Sequence, residues 1–132
     1  MIPADQLLKE GLDLLGASAP DINRVLISRK ERIFFSLETY IAEIELFNPA
    51  YGLVGAGDRR ELVIKHILDS LAPLGIIHRL LSAFPSPYNI ADAGSGAGLP
   101  GIPLAICLPD VSFTLIERMG RRAGFLRNTL AV

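Results

Sequence analysis

Three glycines at every second position, preceded by an acidic residue, form the stretch with the clearest chemical content. They are Gly94, Gly96 and Gly98, and Asp92 precedes them. Glycine has no Cβ, so the chain can turn sharply there and a ligand can lie directly against the backbone. A dinucleotide fingerprint would need a glycine at position 99, which is Leu99, and a phosphate-cradling loop would need a lysine, which the turn lacks. The acidic residue therefore favours a ligand with a positive centre or free hydroxyl groups.

A second carboxylate, Glu117, follows an apolar segment at residues 111–116. A carboxylate that ends a strand beside a glycine turn can accept hydrogen bonds from both hydroxyls of an adenosine ribose. Glu117 and the acidic glycine turn together resemble the S-adenosylmethionine site of the class I methyltransferases. The alternative is a turn that only joins a strand to a helix.

The segments around these residues predict a strand–turn–helix–strand unit. Residues 88–91 have the apolar, β-prone character of a short buried strand, and residues 111–116 have that of a second strand. Between them, Pro100 suits the first turn of an apolar helix. We therefore expect two neighbouring parallel strands with a right-handed crossover, and a ligand over the glycine turn at their carboxyl ends.

The chain before residue 85 predicts helices. Leucines at positions 7, 8, 12 and 15 have helical spacing, and Asp21 is a candidate cap for a long second helix that ends at Pro49. Asp58 and Glu61 form a capping box for a third helix. A short apolar helix near residues 76–83 precedes the prolines at 85 and 87. The expected division is therefore a helical part, residues 1–84, and a Rossmann-like part, residues 85–132, in one compact unit.

Two groups of polar residues flank the glycine turn in the sequence. On the third helix, Lys65, His66, Asp69 and Ser70 share a polar face, which is either ordinary surface, with His66 bonded to Asp69, or part of a binding site. After Glu117, a last helix has Met119, Ala123, Leu126 and Leu130 at helical spacing, and we expect these to pack on the sheet. Its arginines form either a solvated face or a phosphate-binding surface; they include Arg118, Arg121 and Arg122.

Longer motifs resemble one family. Residues 92–106 read DAGSGAGLPGIPLAI, residues 65–71 read KHILDSL, residues 47–53 read FNPAYGL, and residues 118–126 read RMGRRAGFL. In this order they resemble motifs of the glucose-inhibited division protein B family, the bacterial 16S ribosomal RNA guanine-N7 methyltransferases. The resemblance covers about residues 40–130.

The resemblance implies a fold, a cofactor and a partner. The fold is α/β: a helical N-terminal part followed by the first βαβα of a class I, Rossmann-like S-adenosylmethionine-dependent methyltransferase sheet. The cofactor is S-adenosylmethionine, and the partner is 16S ribosomal RNA or the small ribosomal subunit. The expected cofactor-binding residues are Asp92, Gly94, Gly96, Gly98, Leu99 and Glu117, and the expected substrate residues are His66, Asp69, Ser70, Arg118, Arg121 and Arg122.

No catalytic side chain is assigned, and the chemistry explains why. The lone pair of guanine N7 lies free in the ring plane and a methyl sulfonium is a strong electrophile, so positioning and exclusion of water suffice without a general base. The two histidines and the single Cys107 make a metal site improbable, and Cys107 suits a small core residue. No long apolar run or basic leader is present, so we expect a cytoplasmic protein without a membrane segment.

The sheet of a class I methyltransferase has further strands, for which this sequence has no counterpart after Val132. We therefore expect an amino-terminal portion, incomplete at its C-terminus, whose open sheet edge favours self-association. Two other functions stay open: a non-catalytic module that faces RNA or binds the cofactor, and a nicotinamide-dinucleotide-binding fragment, which Leu99 disfavours.

Overall fold

The computed structural model describes all 132 residues and contains eight α-helices and two strands. The helix that begins at Arg59 continues through a π-helical segment, Val63–Leu68, and ends at Leu71. In chain order the elements are α1 Ala4–Ser18, α2 Pro20–Ser28, α3 Lys30–Tyr51, α4 Arg59–Leu62, α5 Asp69–Leu71, α6 Leu74–Leu81, β1 Tyr88–Ala93, α7 Gly101–Cys107, β2 Val111–Ile116 and α8 Gly120–Thr129. The helical part and the strand–helix–strand unit follow the predicted order.

The two strands form the predicted parallel pair. Their register runs from Tyr88 opposite Val111 to Ala93 opposite Ile116, and α7 packs against β2. The expectation of a buried first strand is wrong, because burial alternates along both strands and one face of the sheet is open. The exposed face consists of Asn89, Ala91, Ala93, Ser112, Thr114 and Ile116.

The prediction of one long second helix is wrong in three respects. It is divided into α2 and α3 at Arg29, and Asp21 lies in the first turn of α2 without capping it. Pro49 does not end α3 but lies within its last turn. The helix ends at Gly52, whose φ of 58° is the left-handed conformation of a C-terminal glycine.

The predicted cap of Asp58 on α4 is confirmed, but the Glu61 side chain bonds to the N–H of Gly57, the residue before the cap, and not to that of Asp58. The main-chain N–H of Glu61 donates to Asp58 Oδ1 at 2.7 Å, and Glu61 Oε2 accepts from the N–H of Gly57 at 2.7 Å. Arg59 then forms ion pairs with Glu38 and Glu45 of α3, which fixes the start of α4 against that helix.

A single apolar cluster joins the helical part to the strand–helix–strand unit. It includes Tyr40 and Ile44 of α3 together with Leu104 and Cys107 of α7. The position of Cys107 as a core residue is confirmed, and burial raises the pKa of its thiol to about 12. No helix of the structure combines the length and the apolar character needed to cross a membrane.

The packing of α8 differs from the prediction. Met119 and Leu130 are exposed, and the buried residues of α8 are Phe125, Leu126 and Thr129. Helix α8 packs against α3, where the ring of Phe125 meets that of Phe47 edge-on with centroids 5.9 Å apart, and Leu126 lies beside Gly98 of the glycine turn. Phe125 was absent from the predicted stripe because helical spacing alone does not show which neighbour a helix faces.

Candidate functional site

The glycine turn is held against the end of β2 by main-chain and side-chain hydrogen bonds. The N–H groups of Gly94 and Ser95 both donate to the carbonyl of Ile116, at 2.8 and 3.0 Å. The buried hydroxyl of Ser95 donates to the carbonyl of Asp92 at 2.8 Å and accepts from the N–H of Ile116 at 3.0 Å. Ser95 therefore links both strands to the turn, a role that the sequence did not reveal.

The three glycines have positive φ angles but different surroundings. The angles are 77° at Gly94, 57° at Gly96 and 93° at Gly98, all in the region that favours glycine. A Cβ on Gly94 or Gly96 would meet nothing within 4 Å, so the space above them is open. A Cβ on Gly98 would lie 2.4 Å from Ile102 Cδ1 and 3.0 Å from Leu126 Cδ2. The space beside Gly98 is thus filled by the protein itself.

Asp92 lies at the start of the turn and contacts the helix that follows it. Its Oδ2 accepts from the N–H of Gly101, the first residue of α7, at 3.0 Å. A Cβ on Gly101 would lie 2.7 Å from the same oxygen, so glycine is needed for this close approach. Asp92 therefore holds the N-terminus of α7, and its Oδ1 makes no hydrogen bond to protein. The predicted contact of Asp92 with a ligand stays a prediction.

Glu117 lies beside the glycine turn. Its Oε1 accepts from the N–H of Met119 at 2.8 Å, and its Oε2 accepts from the N–H of Gly96 at 2.7 Å. These two hydrogen bonds, in that order, lower the pKa of Glu117, and the charge of Arg122 lowers it further. The carboxylate is therefore charged at neutral pH, and each oxygen keeps a second lone pair for a donor from outside the protein.

Tyr40 contacts the glycine turn from the side of the core, a role that the sequence did not reveal. Its buried hydroxyl, on α3, donates to the carbonyl of Ala97 at 2.7 Å. Burial raises the pKa of Tyr40, and the nearby charge of Asp92 raises it further, so the hydroxyl stays a donor. The only signal in the sequence was a tyrosine within an apolar stripe. A buried tyrosine hydroxyl usually requires a hydrogen-bond partner, so such a position indicates a structural contact.

The polar face of the third helix and the end of the glycine turn meet in an open cleft of about 330 Å³. The π-helical segment lies in this region, and such segments often occur at functional sites. Asp69 and His66 are not hydrogen-bonded to each other; the hydroxyl of Ser70 donates to the main-chain carbonyl of His66 instead. The cleft is lined by Lys65, His66, Asp69, Ser70, Pro73, Leu99 and Pro100.

The three predicted arginines do not line this cleft. Arg118 and Arg121 are exposed, and Arg122 is half-buried near Glu117. The structure thus brings His66, Asp69 and Ser70 together with Leu99, and places Arg118, Arg121 and Arg122 after β2. No group of three or more histidine, cysteine or acidic side chains is arranged to hold a metal ion.

Comparison with known proteins identifies the family. The family model described as rRNA small subunit methyltransferase G matches residues 34–132, which is more than half of the chain. The chain belongs to this family. Family membership agrees with the resemblance of the sequence motifs and with the α/β fold, and a methyltransferase family implies a methyl donor.

Two relatives show how much of an rRNA small subunit methyltransferase G this chain represents. The Ribosomal RNA small subunit methyltransferase G of Salmonella arizonae is 40% identical over 91 residues, which are 69% of this chain and 40% of the relative. The protein of the same name from Xylella fastidiosa is 37% identical over 123 residues, 93% of this chain and 49% of the relative. The chain therefore spans less than half the length of each.

Proposed function

We propose that this chain forms the cofactor-binding part of an S-adenosylmethionine-dependent methyltransferase that modifies N7 of a guanine in 16S ribosomal RNA. The main support is the position of Glu117. Two main-chain N–H groups hold its carboxylate beside a glycine turn, where a ribose with two free hydroxyls would lie. A dinucleotide with bound phosphates fits this negative turn poorly.

The residues present suit S-adenosylmethionine. Glu117 would accept hydrogen bonds from the ribose hydroxyls, and the open space above Gly94 and Gly96 would admit the rest of the nucleoside and the amino acid part. Oδ1 of Asp92 would orient the ammonium group of the cofactor, directly or through water. Leu99 would pack beside the amino acid part of the cofactor. Gly98 would contribute through the shape of the turn, since Ile102 fills the space at its α-carbon.

The chemistry requires positioning more than proton transfer. When bound, S-adenosylmethionine supplies an electrophilic methyl group on a positively charged sulfur. Asp92 and Glu117 favour that positive charge, and the turn fixes the direction from which a nucleophile approaches. Guanine N7 needs no base to activate it, so the proposed reaction requires no catalytic side chain.

The RNA would meet the surface around the turn. Arg118, Arg121 and Arg122 follow the proposed ribose contact directly, where guanidinium groups can pair with phosphates of the substrate. The partner would be 16S ribosomal RNA or the small ribosomal subunit, which assigns the reaction to the cytoplasm.

Calorimetric titration tests the cofactor site. Glu117→Ala should weaken S-adenosylmethionine binding by about tenfold, because the ribose loses its charged acceptor. Glu117→Gln retains the shape but replaces one acceptor oxygen with a donor, so it should also weaken binding. Glu31→Ala, an exposed glutamate at the start of α3, is the matched control. Unchanged affinity in both Glu117 variants would remove Glu117 from the site.

Two further measurements separate the alternative functions. Titration with NAD should give no binding, whereas preference for NAD over S-adenosylmethionine would support a nicotinamide-binding protein. A methyl-transfer assay on small ribosomal subunits, run with this chain and with a full-length relative, tests catalysis. Cofactor binding without transfer by this chain, alongside transfer by the relative, would indicate a cofactor-binding module.

A further inference from the structure

Two polar side chains in the cleft beside the glycine turn make no hydrogen bond to another protein group. The ammonium of Lys65 forms an ion pair with Glu61, and the single donor of the Ser70 hydroxyl is used by the carbonyl of His66. The Asp69 carboxylate and the His66 imidazole line the same cleft and make no side-chain hydrogen bond to another residue. Asp69 is exposed and His66 is half-buried, so both can meet a ligand.

The cleft is also lined by Pro73, Leu99 and Pro100, whose side chains are apolar. Apolar side chains together with a few polar groups are typical of small-molecule sites. Leu99 and Pro100 directly follow Gly98, so the cleft adjoins the proposed cofactor site. A base that packed on these apolar side chains would lie in the same cleft as His66 and Asp69.

We propose that the cleft binds the target guanine and that Asp69 is the residue that selects it. Guanine has adjacent N1–H and N2–H donors on its Watson–Crick edge, and a carboxylate has two adjacent acceptors that match them. Adenine, cytosine and uracil do not offer this pair of donors. The imidazole of His66 would donate to O6, the next group along the same edge.

This assignment rests on the proposed function and explains how N7 stays available. N7 belongs to the five-membered ring, at the other end of the base from N1 and N2. A guanine held at its Watson–Crick edge by Asp69 therefore leaves N7 free to face a methyl donor at the adjoining turn. The competing role for Asp69 is a contact with the ammonium group of the cofactor, and the experiment distinguishes the two.

The test compares two nucleotides that differ by one amino group. GMP and IMP share the phosphate, the sugar and N1–H, but IMP lacks the N2 amine. We expect the wild-type chain, saturated with S-adenosylhomocysteine, to bind GMP about tenfold more tightly than IMP, because one hydrogen bond to a charged acceptor is lost. In Asp69→Asn the preference should fall to about twofold or less, since an amide offers only one acceptor.

The two histidines of the chain report binding by NMR. His66 lines the cleft, whereas His78 lines a different cavity with Cys107 and Tyr88. Addition of GMP should shift the imidazole signals of His66 and leave those of His78 in place. The His78 signals also show that Asp69→Asn is folded. Asp21→Asn, on the exposed surface of α2, should retain the wild-type preference.

The outcomes separate this assignment from the proposed function. S-adenosylhomocysteine binding without any preference for GMP over IMP, or without a response of His66, overturns the guanine assignment alone. An Asp69→Asn variant that loses S-adenosylhomocysteine affinity but keeps the nucleotide preference also overturns it, in favour of the cofactor contact. No S-adenosylhomocysteine binding by the wild-type chain overturns the proposed function and this assignment with it.

Discussion

At the scale of single residues, Tyr40 shows how the core supports the site. Tyr40→Phe removes the hydroxyl that donates to the carbonyl of Ala97 and leaves that carbonyl without its partner in a buried position. We expect the free energy of unfolding to fall by about 1–2 kcal/mol. Because Ala97 lies between Gly96 and Gly98, S-adenosylmethionine affinity should fall as well. Urea denaturation and calorimetric titration measure the two effects.

The matched control for this change is Tyr51→Phe. The hydroxyl of Tyr51 makes no hydrogen bond and its ring is partly exposed, so both quantities should stay within error of the wild type. If Tyr40→Phe lowered stability but left cofactor affinity unchanged, Tyr40 would support the core and not the turn.

The sequence predicted those parts of the site that depend on local spacing. The glycine turn and its position beside Glu117 could be predicted because a few residues define a turn and a strand end. The bonds of Tyr40 and Ser95 could not, since their partners are distant in sequence and depend on tertiary packing. The bond from Gly101 to Asp92 was missed because the acidic residue had been assigned to a ligand.

At the scale of elements, two aspartates distinguish a true cap from an apparent one. Asp58 accepts from the N–H of Glu61 and caps α4, whereas Asp21 makes no capping bond. Asp58→Ala should therefore lower the free energy of unfolding by about 1 kcal/mol. Asp21→Ala should cost only a few tenths, from the weak attraction of an acidic residue to the start of a helix. Urea denaturation of the two variants measures the difference, and equal losses would contradict the structure.

The limits of the helices were less predictable than their existence. The break at Arg29 has no proline or glycine to mark it, and α3 continues for two residues past Pro49. Gly52 was the better signal for the end of that helix. The π-helical segment was also unforeseen, since its apolar residues fit an ordinary helical stripe equally well.

At the scale of the whole molecule, the small sheet leaves its polar backbone and one face unprotected. Each strand pairs only with the other, so each has one edge of unpaired N–H and C=O groups. On the open face Ala91 lies opposite Thr114, and Ile116 near the strand end is 52% exposed. Such a surface favours pairing with another chain. We therefore keep the prediction that this chain associates with a second copy of itself.

Sedimentation velocity over a range of concentrations tests this prediction, with a dimer expected to form as concentration rises. The double variant Ala91→Lys and Thr114→Lys puts a lysine on each of the two edge strands, and lysines on an edge strand oppose pairing with a further strand. It should sediment as a monomer. Lys9→Ala on α1, far from the sheet in sequence, is the control and should still dimerise. A folded wild-type monomer at every concentration would contradict the prediction, because the sheet would then be stable with its edges and face in water.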